Sequence, residues 1–296
     1  MRQTILLTGA TGFLGSHLLE SFVNEQYDVI ILKRTTSDTS RINHLLSKVR
    51  VYNIDKVDFK TVFTHEKVDV IINTVCSYGR TNESLIDIVN SNLIFGLNLL
   101  DEAVKNNVQT FINTDTLLLR NVNAYSLSKA QFVDWLHLYC DKIQTINFRI
   151  EHMYGPGDDK KKFIPWLVNQ MINNNDDILL TSGIQKRDFI HIDDVVTAYN
   201  LVLQKAPTLG EWNQFDLGSN TFTEVKEVVL QIAEKIHHIK HKAIVPRLKF
   251  GALSYRLNDC MEPSLNIKSL VKLGWNHTTN VHEGIGKYVD ILMKDL

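Results

Sequence analysis

Tyr125 and Lys129 are where the chemistry of this chain is easiest to read. In the run Tyr125-Ser126-Leu127-Ser128-Lys129 a phenol and an ammonium stand four residues apart, a spacing that puts both on one face of a helix. A free tyrosine titrates near 10 and is a poor proton shuttle at neutral pH, but an adjacent cation stabilises the phenolate and lowers that value. Lys129 is expected to supply that charge. Upstream, Ile112-Asn113-Thr114-Asp115-Thr116 reads as the end of a buried strand. Ligands of open α/β folds sit at the carboxyl edge of the sheet, where a hydroxyl such as that of Thr114 can orient a substrate oxygen.

A second constellation lies at the N-terminus. A strand over Thr4 to Leu7 runs into Thr8-Gly9-Ala10-Thr11-Gly12-Phe13-Leu14-Gly15, and an amphipathic helix starts there. Glycines allow a tight turn and let the backbone approach a pyrophosphate, which then rests against the positive end of the helix dipole. Their spacing of three and three departs from the GxGxxG pattern. The next strand ends Ile31-Leu32-Lys33-Arg34. A carboxylate there would accept bonds from the ribose hydroxyl of NAD; two cations suit the extra phosphate of NADP instead. NADP(H) is the expected cofactor.

These residues need a frame to hold them. Thr4 to Leu7, Val29 to Leu32, Val70 to Asn73, Thr110 to Asn113 and Thr145 to Arg149 read as strands, with helical patterns over Phe13 to Val23 and Ala124 to Cys140. Such alternation implies right-handed βαβ crossovers and a doubly wound parallel sheet, the Rossmann arrangement. Residues 1–150 are expected to form the cofactor domain. Past residue 150 the rhythm loosens at Tyr154-Gly155-Pro156-Gly157, which is turn chemistry. Residues 151–188 and 218–296 are assigned to a smaller α/β substrate-binding region, with 189–217 returning to the first sheet. Val281 to Leu296 reads as a closing amphipathic helix.

Composition excludes other classes. The 296 residues carry 32 basic and 33 acidic side chains, a formal net charge of −1, so no global field favours nucleic acid or an anionic membrane. With 44% hydrophobic residues and only 14 Gly and 5 Pro, disorder is not expected. Cysteines 76, 140 and 260 form no CxxC pair, which argues against a disulfide framework or zinc site and fits a reducing cytosol. His237 and His241 lack an acidic or Cys partner, so no metal is expected. The first apolar run is too short for a signal peptide and no stretch approaches a membrane span, so a cytoplasmic protein is expected.

Taken together, TGATGFLG, the strand-end Thr114, YSLSK and the later RDFIHIDDV resemble the extended short-chain dehydrogenase/reductases, the nucleotide-sugar epimerases, dehydratases and reductases. The resemblance covers essentially the whole chain. It implies Thr114, Tyr125 and Lys129 as the catalytic set. It implies a cofactor cradle of Gly9, Thr11, Gly12, Phe13, Leu14, Gly15, Lys33, Arg34, Asp55 and Lys129. For the substrate it points to Tyr78, Asp115, Thr116 and His152, with Arg187 and Arg256 as clamps on a diphosphate, and Arg80 stands beside Tyr78 as a further candidate.

Dehydratases of this family carry Thr-Asp-Glu where this chain has Thr114-Asp115-Thr116, which argues against 4,6-dehydration. The runs from Phe148 to Asp158, Lys162 to Pro165, Gln185 to Ile190 and Phe250 to Arg256 are similar to the abequose synthases and related dTDP-4-keto-6-deoxyglucose reductases. That branch implies NADPH-dependent reduction of the C4 ketone of a CDP- or dTDP-linked 4-keto-6-deoxy or 4-keto-3,6-dideoxyhexose. The product would be a deoxysugar nucleotide such as CDP-abequose or dTDP-fucose, used in O-antigen assembly. An NAD(P)-dependent epimerase is the alternative. The resemblance also implies a homodimer formed through two long helices.

Overall fold

A computed structural model describes residues 2–80, 82–241, 243–256 and 259–294. Its contacts separate two units, one running to Ile150 and including Val196–Asp216, the other Glu151–Val195 with the residues from Leu217 onward.

The first unit is built on a seven-stranded sheet. β1 (Thr4–Thr8), β2 (Asp28–Lys33), β3 (Arg50–Asn53), β4 (Val70–Asn73), β5 (Thr110–Thr116) and β6 (Gln144–Ile150) are joined by α1 (Phe13–Asn24), α2 (Phe59–His65), α3 (Leu85–Val89), α4 (Phe95–Lys105) and α5 (Ala124–Leu138). With the later β10 (Trp212–Leu217) at one edge, the spatial order is β10-β6-β5-β4-β1-β2-β3. The sheet is parallel, and its order reverses beside β1, the point at which open α/β sheets leave a crevice above their carboxyl ends. Ile5, Leu6, Leu7, Ile30, Ile31, Val70, Ile71 and Ile72 are wholly buried, as strands covered on both faces must be. Leu99, Phe111, Phe132 and Leu136 pack with Leu6 and Ile71 in one cluster. A π-helical turn, Asn90–Ile94, separates α3 from α4. The expected strands and helices are present within one to three residues at their ends, the largest difference being β5, which runs on to Thr116, and β3 is an additional strand on the outer edge.

The second unit contains β7 (His152–Tyr154), α6 (Phe163–Asn173), β8 (Ile178–Leu180) and β9 (Lys186–His191), and further along the chain β11 (Phe222–Glu224), α8 (Val225–Lys240), β12 (Leu248–Phe250), α9 (Lys268–Leu273) and α10 (Val281–Lys294). Leu167, Val168 and Met171 of α6 meet Val229, Ile232 and Ile236 of α8 and Ile285 and Val289 of α10 in its core. The final expected residues, 295–296, lie outside the described residues.

One expected feature differs. The segment from Phe189 does not rejoin the large sheet, because β9 pairs parallel with β7 and antiparallel with β11 in a separate three-stranded sheet. Asp188, wholly buried in β9, accepts from the Ser219 N–H at 2.7 Å and from its hydroxyl at 2.9 Å, tying the strand to the turn before β11. The chain returns to the first unit only at Val196, within α7 (Ile192–Lys205). An apolar β-branched run announces a strand but not which sheet will take it.

No helix among the described residues is long and apolar enough to cross a membrane. His237 and His238 are exposed near the end of α8, and His241 is its left-handed C-cap at φ 53°.

Candidate active site

The glycine turn has the backbone that its sequence requires. Gly9 stands at φ +71°, and a Cβ there would lie 2.5 Å from Thr74 Oγ1 and 3.0 Å from its carbonyl carbon. A Cβ on Gly15 would collide with the Gly9 carbonyl. Gly12 donates its N–H to Gly9 O at 2.9 Å and becomes the N-cap of α1, with no capping side chain and no acid in the first turn. The leading N–H groups of a twelve-residue helix are thus offered to a ligand. Thr11, Gly12, Phe13, Leu14 and Gly15 line this turn, and the open cradle fits the diphosphate of a dinucleotide.

After β2 the chain makes a tight turn. Arg34 N–H donates to Ser37 Oγ at 3.1 Å, and Ser37 N–H returns to Arg34 O at 3.0 Å. Asp55, after β3, accepts from Thr35 N–H at 2.7 Å, so it braces the loop that carries the two cations. That bond holds the Asp55 carboxyl below its usual range. Lys33 Nζ bonds the Arg34 carbonyl at 3.2 Å, and the Arg34 side chain is exposed. No carboxylate ends β2. Arg41, farther along the loop, reaches back to Thr11 O at 3.3 Å.

Tyr125 and Lys129 stand on the first two turns of α5, which Asn123 starts with a capping box shared with Ser126. Burial pushes the Tyr125 phenol above its ordinary value; the charges of Cys76 and Asp115 add to this, while the Thr116 hydroxyl bonding to it and the Arg80 charge oppose it. Lys129 is almost fully buried, and burial lowers its ammonium against the pull of Cys76 and Asp115. The expected lowering of Tyr125 by Lys129 is therefore not what the geometry gives. Desolvation dominates, and Lys129 faces Asp115. The Asp115 carboxyl is itself raised by burial, an effect countered first by Lys129.

The hydroxyls of β5 are divided between two tyrosines. Thr116 faces Tyr125, whereas Thr114 Oγ bonds the Tyr199 hydroxyl on α7 at 2.7 Å. Tyr199 is wholly buried and stacked on Phe148, with ring centroids 4.3 Å apart. The carbonyl-orienting role expected of Thr114 meets a hydroxyl already engaged, because the half-buried Thr114 hydroxyl satisfies the wholly buried Tyr199 hydroxyl.

Tyr78, on the loop after β4, belongs to the first unit, whereas His152, Arg187 and Arg256 fall in the second. His152 is exposed, with Nδ1 3.0 Å from Glu151. Arg187 spends its guanidinium on Asp259 at 2.5 Å and on the Lys186 and Cys260 carbonyls. Arg256 is exposed.

A model of the NAD dependent epimerase/dehydratase family matches residues 5–218. The chain belongs to this family. It is 31% identical to the CDP-abequose synthase of Salmonella muenchen over 98% of both chains. It is 28% identical to that of Salmonella typhimurium over 96% of this chain and 97% of the relative. Among solved structures it resembles the UDP-glucuronic acid 4-epimerase of Bacillus cereus, at a TM-score of 0.83 and 20% identity, covering 99% of this chain and all of that one. That likeness concerns the fold.

Beneath the site, this epimerase/dehydratase family enzyme carries a buried polar ladder that the sequence analysis passed over. Thr8 donates to Asn73 at 2.8 Å, Asn73 to Asn113 at 3.2 Å, Asn113 to Asn147 at 2.9 Å, and Asn147 to Asp115 at 3.3 Å. The four positions pair in register across β1, β4, β5 and β6. A signal existed: Ile72-Asn73, Ile112-Asn113 and Ile146-Asn147 repeat one dipeptide in three successive strands. Polar residues inside apolar strands require partners, and in-register copies provide them.

Proposed function

We propose that this enzyme reduces the C4 ketone of a CDP- or dTDP-linked 4-keto-6-deoxy or 4-keto-3,6-dideoxyhexose with NADPH, giving a deoxysugar nucleotide for polysaccharide assembly. The observation that carries this reading is the placing of Tyr125 and Lys129 on the first two turns of α5, with the Thr116 hydroxyl at the end of β5 bonding to the phenol. An alkoxide is far more basic than a phenolate, so a phenol held against the reacting oxygen can pass its proton to it as the alkoxide develops. Similarity to CDP-abequose synthases along the whole chain supports the substrate class. Lys33 and Arg34 support NADPH over NADH, since no acid stands where the ribose hydroxyl of NAD would be read.

When bound, NADPH supplies the hydride that C4 receives. The chain does the rest. Tyr125 Oη gives its proton to the ketone oxygen, so that ketone, hydride and proton become a secondary alcohol and the phenolate is reprotonated from water. Thr116, beside the phenol, holds the same oxygen in line. Lys129, buried near the end of β5 where the Asp115 charge acts on it, is the residue that would hold the ribose next to the nicotinamide. Asp115, His152 and the guanidinium groups of Arg187 and Arg256 are proposed to bind the sugar and its diphosphate. Leu85 and Ile86 on α3 and Leu127 and Leu138 on α5 are exposed apolar side chains of two helices that pack together, which supports a homodimer through this pair.

Isotope transfer tests the reaction. With NADPH deuterated at the transferred position, the product sugar should carry one deuterium at C4. A sugar inverted at C4 without deuterium and without net cofactor oxidation would instead identify an epimerase.

A further inference from the structure

The loop after β4 is fixed with unusual thoroughness for a connection. Asn92, buried inside the π-helical turn, accepts the Ser77 N–H at 2.7 Å, donates to Ser77 O at 2.9 Å and reaches Ser128 Oγ on α5 at 3.0 Å. Ser77 Oγ adds a bond to Glu83 at 3.2 Å. Gly79 is at φ +66°, so close to α3 that a Cβ would lie 2.7 Å from Ile88 Cδ1. π-Turns inside helices often mark functional positions, and here the turn locks a neighbouring loop to the helix that bears Tyr125 and Lys129.

The lock delivers two side chains. The Tyr78 ring lies 4.9 Å from the Tyr125 ring, inclined at 40°. The Arg80 guanidinium lies 4.9 Å from the Tyr78 ring centroid. We propose that Tyr78 and Arg80 are positioning residues for Tyr125, the ring fixing the phenol's orientation and the guanidinium supplying positive charge to the phenolate left after proton transfer. This rests on the reading of Tyr125 as the proton donor, and it gives Tyr78 and Arg80 a role that does not require contact with the sugar.

The charges around the phenol make the role specific. Cys76, Tyr78 and Arg80 face it from the loop, and Asp115 and Thr116 from β5. Asp115 opposes a phenolate, and Lys129 is set against Asp115. Arg80 is the cation that favours ionisation of Tyr125. Being exposed, it is screened by water, so its effect is expected to be about half a pH unit. The tilted ring pair restricts the orientation of Tyr125, as close aromatic contacts do.

The test is the pH profile of the reverse reaction, oxidation of the deoxysugar alcohol with NADP, in which Tyr125 must first lose its proton. Arg80→Gln should move the rising limb upward by about half a pH unit and lower kcat several-fold while KM stays within about twofold. Arg80→Lys should return the limb toward the parent. Tyr78→Leu should behave as Arg80→Gln does, whereas Tyr78→Phe keeps the ring and the parent profile. Independently of turnover, the ring-carbon NMR signal of Tyr125, assigned by its loss in Tyr125→Phe, should shift and broaden in Tyr78→Leu. A raised KM with an unmoved limb in Arg80→Gln and Tyr78→Leu would make the pair substrate contacts and overturn the proposal while leaving Tyr125 as donor. Full activity of Tyr125→Phe would overturn both.

Discussion

Asn113 donates its side-chain amide to Asn147 at 2.9 Å from the register position directly opposite it on β6. Both side chains are wholly buried, and the bond is one rung of the ladder from Thr8 to Asp115. Replacing Asn113 by leucine would strand the Asn73 amide and the Asn147 carbonyl in the core. Asn113→Leu is therefore expected to lower unfolding free energy by about 2 to 4 kcal/mol in denaturant titrations. A loss under about 1 kcal/mol would mean that the ladder is not carrying buried polar groups as described.

The two threonines of β5 should separate in a mutational comparison. Thr114→Val leaves the buried Tyr199 hydroxyl without its partner and is expected to destabilise the fold by about 1 to 3 kcal/mol, with turnover of the folded fraction reduced less than tenfold. Thr116→Val removes the hydroxyl facing Tyr125 and should lower kcat by about 10- to 100-fold with little change in stability. Thermal melts with steady-state rates on both variants distinguish them. The reverse pattern would restore Thr114 as the residue that orients the carbonyl.

Cofactor choice can be measured without any sugar. Lys33→Ala/Arg34→Ala should weaken NADPH binding by more than about tenfold in a fluorescence titration and leave NADH within about threefold, because only the extra phosphate is addressed by these cations. Tighter NADH than NADPH binding in the parent would contradict the assignment.

Five strands of the large sheet were readable because they are short β-branched runs, and the first turn because it has glycines where the backbone allows nothing else: a Cβ at Gly15 meets the Gly9 carbonyl. The Tyr125 and Lys129 pair was readable for a similar reason, since i and i+4 on a helix face one way. Less local facts were not. That Phe189 enters a separate small sheet depends on Asp188 finding Ser219, 31 residues on. That Thr114 meets Tyr199 depends on a helix 85 positions away. The state of Tyr125 is set by desolvation, which residue types and spacing do not reveal. The expected lowering by Lys129 does not appear, because burial dominates and Lys129 is set against Asp115.

The same turn gives a simple variant. Gly15→Ala should abolish dinucleotide binding, since α1 must shift to relieve the overlap with Gly9, and should lower Tm by several degrees. Binding of NADPH within about twofold of the parent would show that the turn tolerates movement and does not cradle the diphosphate closely.

The central claim is that Tyr125 protonates a nucleotide-sugar ketone at the expense of NADPH. Incubating the purified enzyme with NADPH and freshly generated CDP-4-keto-3,6-dideoxyglucose or dTDP-4-keto-6-deoxyglucose should oxidise one NADPH for each sugar reduced, and Tyr125→Phe should slow this by about 100- to 10,000-fold while still binding the cofactor. No NADPH oxidised with either sugar, or a Tyr125→Phe enzyme as fast as the parent, would contradict it.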